Sequence, residues 1–205
     1  MDRWIGLGTP KLGVPTCCSF IYLCKKTGLG KDKYSNVLII AGTGRNSGKT
    51  MLACMIIQKF RELKPVAIKI SPHFHEPTDG LVSWHEGADF NIFRETSSDS
   101  GKDSSRMLDS GASEVYFIQA YDKFVSEAFK LVRKIHPPDR PIICESPSLP
   151  LYIEPGILLL CDNKEKIHKK DISHLIDQAA RIYYPLIHDP DLDGLGFAAG
   201  RWFIS

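Results

Sequence analysis

The chain has 205 residues, 43 % hydrophobic and 24 % charged, the proportions of an ordinary soluble protein with length for one full core. A net charge of +2 without a long basic run gives no electrostatic support to a nucleic-acid or membrane partner, and neither is expected. The short clusters Lys25-Lys26 and Lys164–Lys170 read as solvated faces. Of the six cysteines, Cys17, Cys18 and Cys24 lack the paired spacing of a zinc site. Cys54, Cys144 and Cys161 fall in expected core elements, as reduced thiols of a cytoplasmic protein do. The apolar run Cys17–Cys24 is too short to span a bilayer, and the N-terminus lacks the pattern of a secretory signal.

Residues 1–36 read as an extension that is regulatory, oligomeric or a poorly ordered tail. It holds a Gly/Pro-rich start, a short apolar segment at Ser19–Leu23 and a polar linker. The nucleotide-binding domain is expected over 37–188, with a tail over 189–205. Val37–Ala41 is an apolar run of the kind found in buried parallel strands. A glycine-bearing loop, Gly42–Gly48, comes next. Lys49 and Thr50 then open a helix, with Met51, Leu52, Met55, Ile56 and Phe60 at helical spacing. Strand, loop, Gly-Lys-Thr and helix form the order of a phosphate-binding loop.

The chemistry asks for that order. Loop N–H groups from Gly44, Arg45, Asn46, Ser47 and Gly48 would make an anion nest, and the helix N-terminus adds further donors. Lys49 would supply a cation to the phosphates, and the Thr50 hydroxyl a ligand to Mg2+. Thr43 stands where the usual pattern carries its first Gly.

Val66–Ile70 is a second strand, with Lys69 as its one charge, a candidate second cation facing phosphate. His73 and His75 lie in the loop after it, spaced to point the same way. Leu81–Trp84 and Phe90–Arg94 around Gly87 predict a β-hairpin insertion near 81–95. Gly101-Lys-Asp-Ser104 starts a short helix, in which Asp103 is either a cap or a nucleotide contact. Val115–Gln119 is a third core strand. Tyr121–Ile135 is a helix expected to bury Phe124, Ala128, Leu131, Val132 and Ile135. Pro141–Glu145 is a fourth strand ending in Glu145, a candidate metal-site or water-orienting carboxylate. Gly156–Cys161 is a fifth strand. The Asn163-Lys164 beyond it has Lys166 where a guanine-reading carboxylate would stand. A helix over Ile172–Ala180 and an edge strand over Arg181–Ile187 complete the pattern, Pro185 excluding a central place. Trp202 and Phe203 are expected to pack back onto the domain.

Alternating strands and helices predict an α/β fold, a mostly parallel sheet with helices on both faces, of the P-loop NTPase kind. Three blocks resemble the GTP-binding MobB family of molybdopterin-guanine dinucleotide biosynthesis adaptor proteins. They are Ser47-Gly-Lys-Thr50, Ala67-Ile-Lys-Ile70 with His73-Phe-His75, and Gly101-Lys-Asp-Ser104 running into Ser110-Gly-Ala112. Glu145 matches a family Glu, here followed by Ser146-Pro147 rather than Gly. The resemblance implies a homodimer that binds GTP and Mg2+, hydrolyses GTP slowly and works beside a nucleotidyltransferase in molybdenum cofactor maturation. It places Gly48, Lys49 and Thr50 on phosphate and Mg2+, with Lys69, Asp103 and Glu145 lining the same pocket. The Gly42-Thr43 opening and Gly48-Lys-Thr50 are also similar to dethiobiotin synthetase, so ATP and a ligase or kinase activity stay open, with Lys69 and Glu145 around a transferred phosphoryl. Lys49 and Glu145 are the candidate catalytic residues.

Overall fold

The computed structural model describes residues 30–163 and 173–205. The expectations for Cys17, Cys18, Cys24 and the segment at 19–23, and for Lys164–Lys170, lie outside those residues. Lys31–Ser205 forms one compact unit. Its strands are β1 (Asp32–Gly42), β2 (Val66–Ser71), β3 (Leu81–His85), β4 (Phe90–Glu95), β5 (Glu114–Ala120), β6 (Ile142–Glu145), β7 (Ile153–Cys161), β8 (Arg181–Tyr183), β9 (Leu195–Ala198) and β10 (Arg201–Ile204). Its α-helices among the described residues are α1 (Lys49–Lys59), α2 (Asp103–Asp109), α3 (Val125–Lys134) and α4 (Ser173–Ile176).

Eight strands make one sheet in the order β3-β4-β5-β2-β6-β1-β7-β8, and β9 pairs with β10 apart from it. The chain is therefore α/β with a mostly parallel sheet. Only β3–β4 and β4–β5 pair antiparallel within it. β1 lies between β6 and β7, parallel to both. Its run from Asn36 to Gly42 is buried throughout, which explains why the strand is apolar on both faces. Val37, Ile39 and Ala41 meet Val125, Ala128, Phe129 and Val132 of α3 on one face. Leu38 and Ile40 meet Leu52, Ala53, Ile56 and Ile57 of α1 and Met107 of α2 on the other. This is the period of two expressed as two half-cores, with helices on both sides of the sheet.

Several boundaries differ from expectation. In α3 the buried face carries Val125 and Phe129, while Ile135 is 52 % exposed. A 3-10 turn over Asp122–Phe124 precedes the helix, so the helical phase starts at Val125, and Ile135 falls at the C-cap. Strand β7 begins at Ile153, because Glu154-Pro155-Gly156 stays extended beside a register shift against β1 rather than turning. Strand β8 stops at Tyr183, and Pro185 leaves the sheet. The α-helix before it covers only Ser173–Ile176 among the described residues. Residues 195–204 are a β-hairpin rather than a run of turns. Its Trp202 is buried, lies edge-on to Phe60 and Phe197 with ring centroids 4.9 Å from each, and donates its Nε1–H to the Asn36 carbonyl at 2.9 Å. Phe203 stays exposed. No helix among the described residues is long and apolar enough to cross a membrane.

Candidate functional site

The parallel strands β1, β2 and β6 end at one edge of the sheet, where their closing residues meet the loop after β1 and the starts of α1 and α2. Beyond β1 the chain turns through 43–48 into α1. Gly42 has no room for a side chain, since a Cβ would lie 2.5 Å from the Cys161 carbonyl oxygen and 2.8 Å from Ser47 Oγ. Gly48 has φ +85, in the left-handed region. Thr43 is not among the residues with positive φ, so the usual glycine is not required there. Thr43 instead ties the loop to β7. Its N–H donates to the Cys161 carbonyl at 3.1 Å, and its Oγ1 accepts the Asn163 N–H at 3.2 Å.

Within the loop, Ser47 Oγ donates to the Gly44 carbonyl at 3.1 Å. Lys49 Nζ donates to the same carbonyl at 2.5 Å and to Ser47 Oγ at 3.1 Å. The lysine thus folds back over its own loop. Arg45 and Asn46 are exposed at the loop tip, Asn46 with φ 56.

Register brings the next residues together. Glu145 on β6 lies beside Ile40 of β1 and beside Lys69 of β2. Lys69 Nζ bonds Glu145 Oε1, and sits 2.9 Å from Asp103 Oδ2 at the start of α2. Thr50 Oγ1 donates to Glu145 Oε2 at 2.7 Å. Side-chain exposure is 2 % for Glu145, 16 % for Lys69 and 47 % for Asp103, so the cluster runs from core to solvent. Four elements far apart in sequence supply Lys49, Thr50, Lys69, Asp103 and Glu145.

Burial pulls the Lys69 ammonium toward its neutral form, but the Glu145 and Asp103 carboxylates outweigh it and its pKa is raised. Burial pushes Asp103 up, yet the Lys69 charge, with a contribution from Thr50, brings it below the ordinary value. Lys49 goes the other way. Burial is its main cause, Lys69 adds repulsion, and Glu145 only partly offsets them, so its pKa falls. Burial pushes the Cys161 thiol up to about 12 and the Cys144 thiol higher than its ordinary value. Neither is a nucleophile at neutral pH.

His73 and His75 are exposed, with ring centroids 6.1 Å apart. Among the described residues no group of three or more His, Cys, Asp or Glu is placed to hold a metal. The His75 carbonyl accepts from Gln119 Nε2 at 2.8 Å, and Phe74 packs on Tyr121, so the segment is anchored by its backbone and its phenylalanine.

Two features escape the sequence. Glu95, at the end of β4, is buried and accepts the Ser104 hydroxyl at 2.7 Å and the Ser97 N–H at 3.0 Å. It thereby pins the start of α2, and with it Asp103, to the antiparallel part of the sheet. Pro185 packs against Gly48, so the chain leaving β8 touches the loop after β1. The only sequence sign of either is an acid at a strand end and a proline past one.

Compared with family models, curated proteins and solved structures, the chain gives no significant match in any of the three.

Proposed function

We propose that this chain is a P-loop nucleotide-binding protein that takes a nucleoside triphosphate with Mg2+ at the edge where β1, β2 and β6 end. The observation that carries the reading is the meeting of Lys49, Thr50, Lys69, Asp103 and Glu145 around a strand–loop–helix turn. Phosphoryl chemistry depends on positioning and charge neutralisation, and these residues supply both. The first-turn N–H groups of α1 have no partner within the helix and favour an anion. The Lys49 ammonium, held on the Gly44 carbonyl and Ser47 Oγ, is placed to exchange one of these for a phosphate oxygen. Its half-buried position strengthens that contact.

Thr50, Glu145 and Asp103 offer hard oxygen donors in one cluster, which fit Mg2+. When bound, the ion would neutralise charge on the phosphates. Glu145 is placed by the sheet register rather than by a loop, so it can orient Thr50 or a water without reorganisation.

On the resemblance of its three sequence blocks to the MobB family, we take the nucleotide to be GTP and the role to be that of an adaptor. It would act as a homodimer, with slow hydrolysis, beside a nucleotidyltransferase of molybdenum cofactor synthesis. The second reading, an ATP-dependent ligase or small-molecule kinase similar to dethiobiotin synthetase, draws on Gly42-Thr43. That pair is built tightly into the loop through Cys161 and Asn163.

Calorimetric titration with GTP and with ATP in Mg2+ tests the core of the proposal. Lys49→Ala should weaken binding by at least about tenfold, the loss of one charge-assisted contact of ~1.5–3 kcal/mol. An unchanged affinity would refute nucleotide binding at this loop. Phosphate release separates the two roles. Slow turnover with GTP supports the adaptor, whereas many cycles per minute and a preference for ATP support the ligase.

A further inference from the structure

Lys69 is the one charge in β2, and its ammonium lies between two carboxylates rather than in solvent. We propose that Lys69 is an internal counterion which a divalent cation must displace, so that metal and nucleotide bind interdependently. This rests on the nucleotide-binding reading above and specifies how that site is regulated.

Three of the carboxylate oxygens are already engaged. Glu145 gives one oxygen to Lys69 and the other to the Thr50 hydroxyl. Asp103 gives an oxygen to Lys69. A buried carboxylate is stable only with such partners. Two of the oxygens that would hold a metal, Glu145 Oε1 and Asp103 Oδ2, therefore already hold an ammonium. A divalent ion among them competes with Lys69 directly, and the two cations repel at close range. One of them must leave.

Where Lys69 goes decides the coupling. Its side chain is largely buried, and a charge moved off its carboxylates without a new partner is costly. Free metal alone would impose that cost. A triphosphate on the neighbouring loop removes it, because a lysine on a flexible four-carbon stem can turn from carboxylate to phosphate oxygen. Lys49, held on the loop itself through the Gly44 carbonyl and Ser47 Oγ, is a second cation for the same phosphates. Metal entry then hands Lys69 to the nucleotide, and nucleotide entry frees the carboxylates for metal. Linkage makes the two effects equal.

The test uses Mn2+ as the probe, read by electron paramagnetic resonance on the full chain, first without nucleotide. Wild type should bind Mn2+ weakly. Lys69→Met, which leaves the carboxylates without their ammonium, should bind it at least about tenfold more tightly. The factor by which GTP or ATP tightens Mn2+ binding should shrink by a similar amount. Equal or weaker Mn2+ binding by Lys69→Met would overturn the proposal. A wild type that binds neither nucleotide would instead overturn the nucleotide reading, while the nucleotide-free Mn2+ comparison still decides whether lysine and metal compete. Should Lys69→Met fail to fold, Asp103→Asn decides the matter. With one of its two anchors weakened, Lys69 is released more easily, so GTP or ATP affinity without metal should rise severalfold. A fall would overturn the exchange.

Discussion

Gly48→Ala tests a tight joint at the sheet edge. Gly48 has φ +85, and a Cβ there would lie 2.6 Å from Pro185 Cβ and 2.9 Å from Pro185 Cγ. Two costs add together. A residue with a Cβ in the left-handed region is less stable by about 1–2 kcal/mol. Overpacking against a ring that cannot rotate away adds about 1–3 kcal/mol. The expected loss is about 2–5 kcal/mol, which in a protein of this size lowers Tm by roughly 4–20 °C. Urea unfolding with a common m-value, followed by circular dichroism, measures it. Pro185→Gly isolates the contact, since it removes the ring and leaves the backbone strain. In that background Gly48→Ala should cost less by about 1–3 kcal/mol, the coupling expected for residues in direct contact. A total loss under about 0.5 kcal/mol, or the same loss in both backgrounds, would show that Pro185 does not bear on the loop.

Two further outcomes can be checked on the same protein. Glu95→Ala removes the acceptor for Ser104 and Ser97 and should destabilise by about 1–3 kcal/mol, with Glu95→Gln losing less because one oxygen remains; equal losses would mean that the hydrogen bonds do not anchor α2. His136 is buried and its pKa is held below the ordinary 6.5, chiefly by burial, with Arg140, Arg133 and Arg94 adding repulsion that Glu114 partly offsets. Tyr116 packs edge-on against the ring. A base whose folded pKa is depressed keeps its full contribution above the unfolded value. The unfolded chain binds the extra proton below it, so stability should be complete above pH 6.5 and fall as the pH drops below that value. Urea midpoints between pH 7.5 and 5 should decline, and His136→Phe should flatten that part of the curve; an unchanged slope would remove His136 as its cause.

The elements legible in the sequence share a physical reason. β1, β2, β5 and β6 are short apolar runs bounded by breakers, and burial on both faces leaves little ambiguity in such runs. The β3–β4 hairpin announces itself by two strand-like runs around Gly87. Lys69 and Glu145 stand out because each is a charge in or at the end of an apolar strand. What brings them together is sheet order, with β6 between β2 and β1, and no local pattern carries that. The phase of α3 is not legible, because a 3-10 turn and an α-helix share the same apolar residues but not the same rise. The β9–β10 hairpin has strands of four residues flanked by glycines, too short for alternation to register. Glu95 resembles any acid at a strand end until Ser104 folds onto it.

The central place of β1 gives it pairing partners that are made long after it. Its neighbours β6 and β7 start at Ile142 and Ile153, so at a synthesis rate of about 5–20 residues/s the strand waits roughly 5–20 s for the first of them. Strands β4 and β5 pair with partners close by in sequence and can assemble during that interval. Val37–Ala41 meanwhile has neither flank covered, the kind of segment that chaperones shelter. The turn over residues 43–48 hangs from that strand and is braced through Cys161, Asn163 and Pro185. That bracing is complete only once β7 and Pro185 are in place, so a ligand that grips the turn would favour chains whose sheet is already complete.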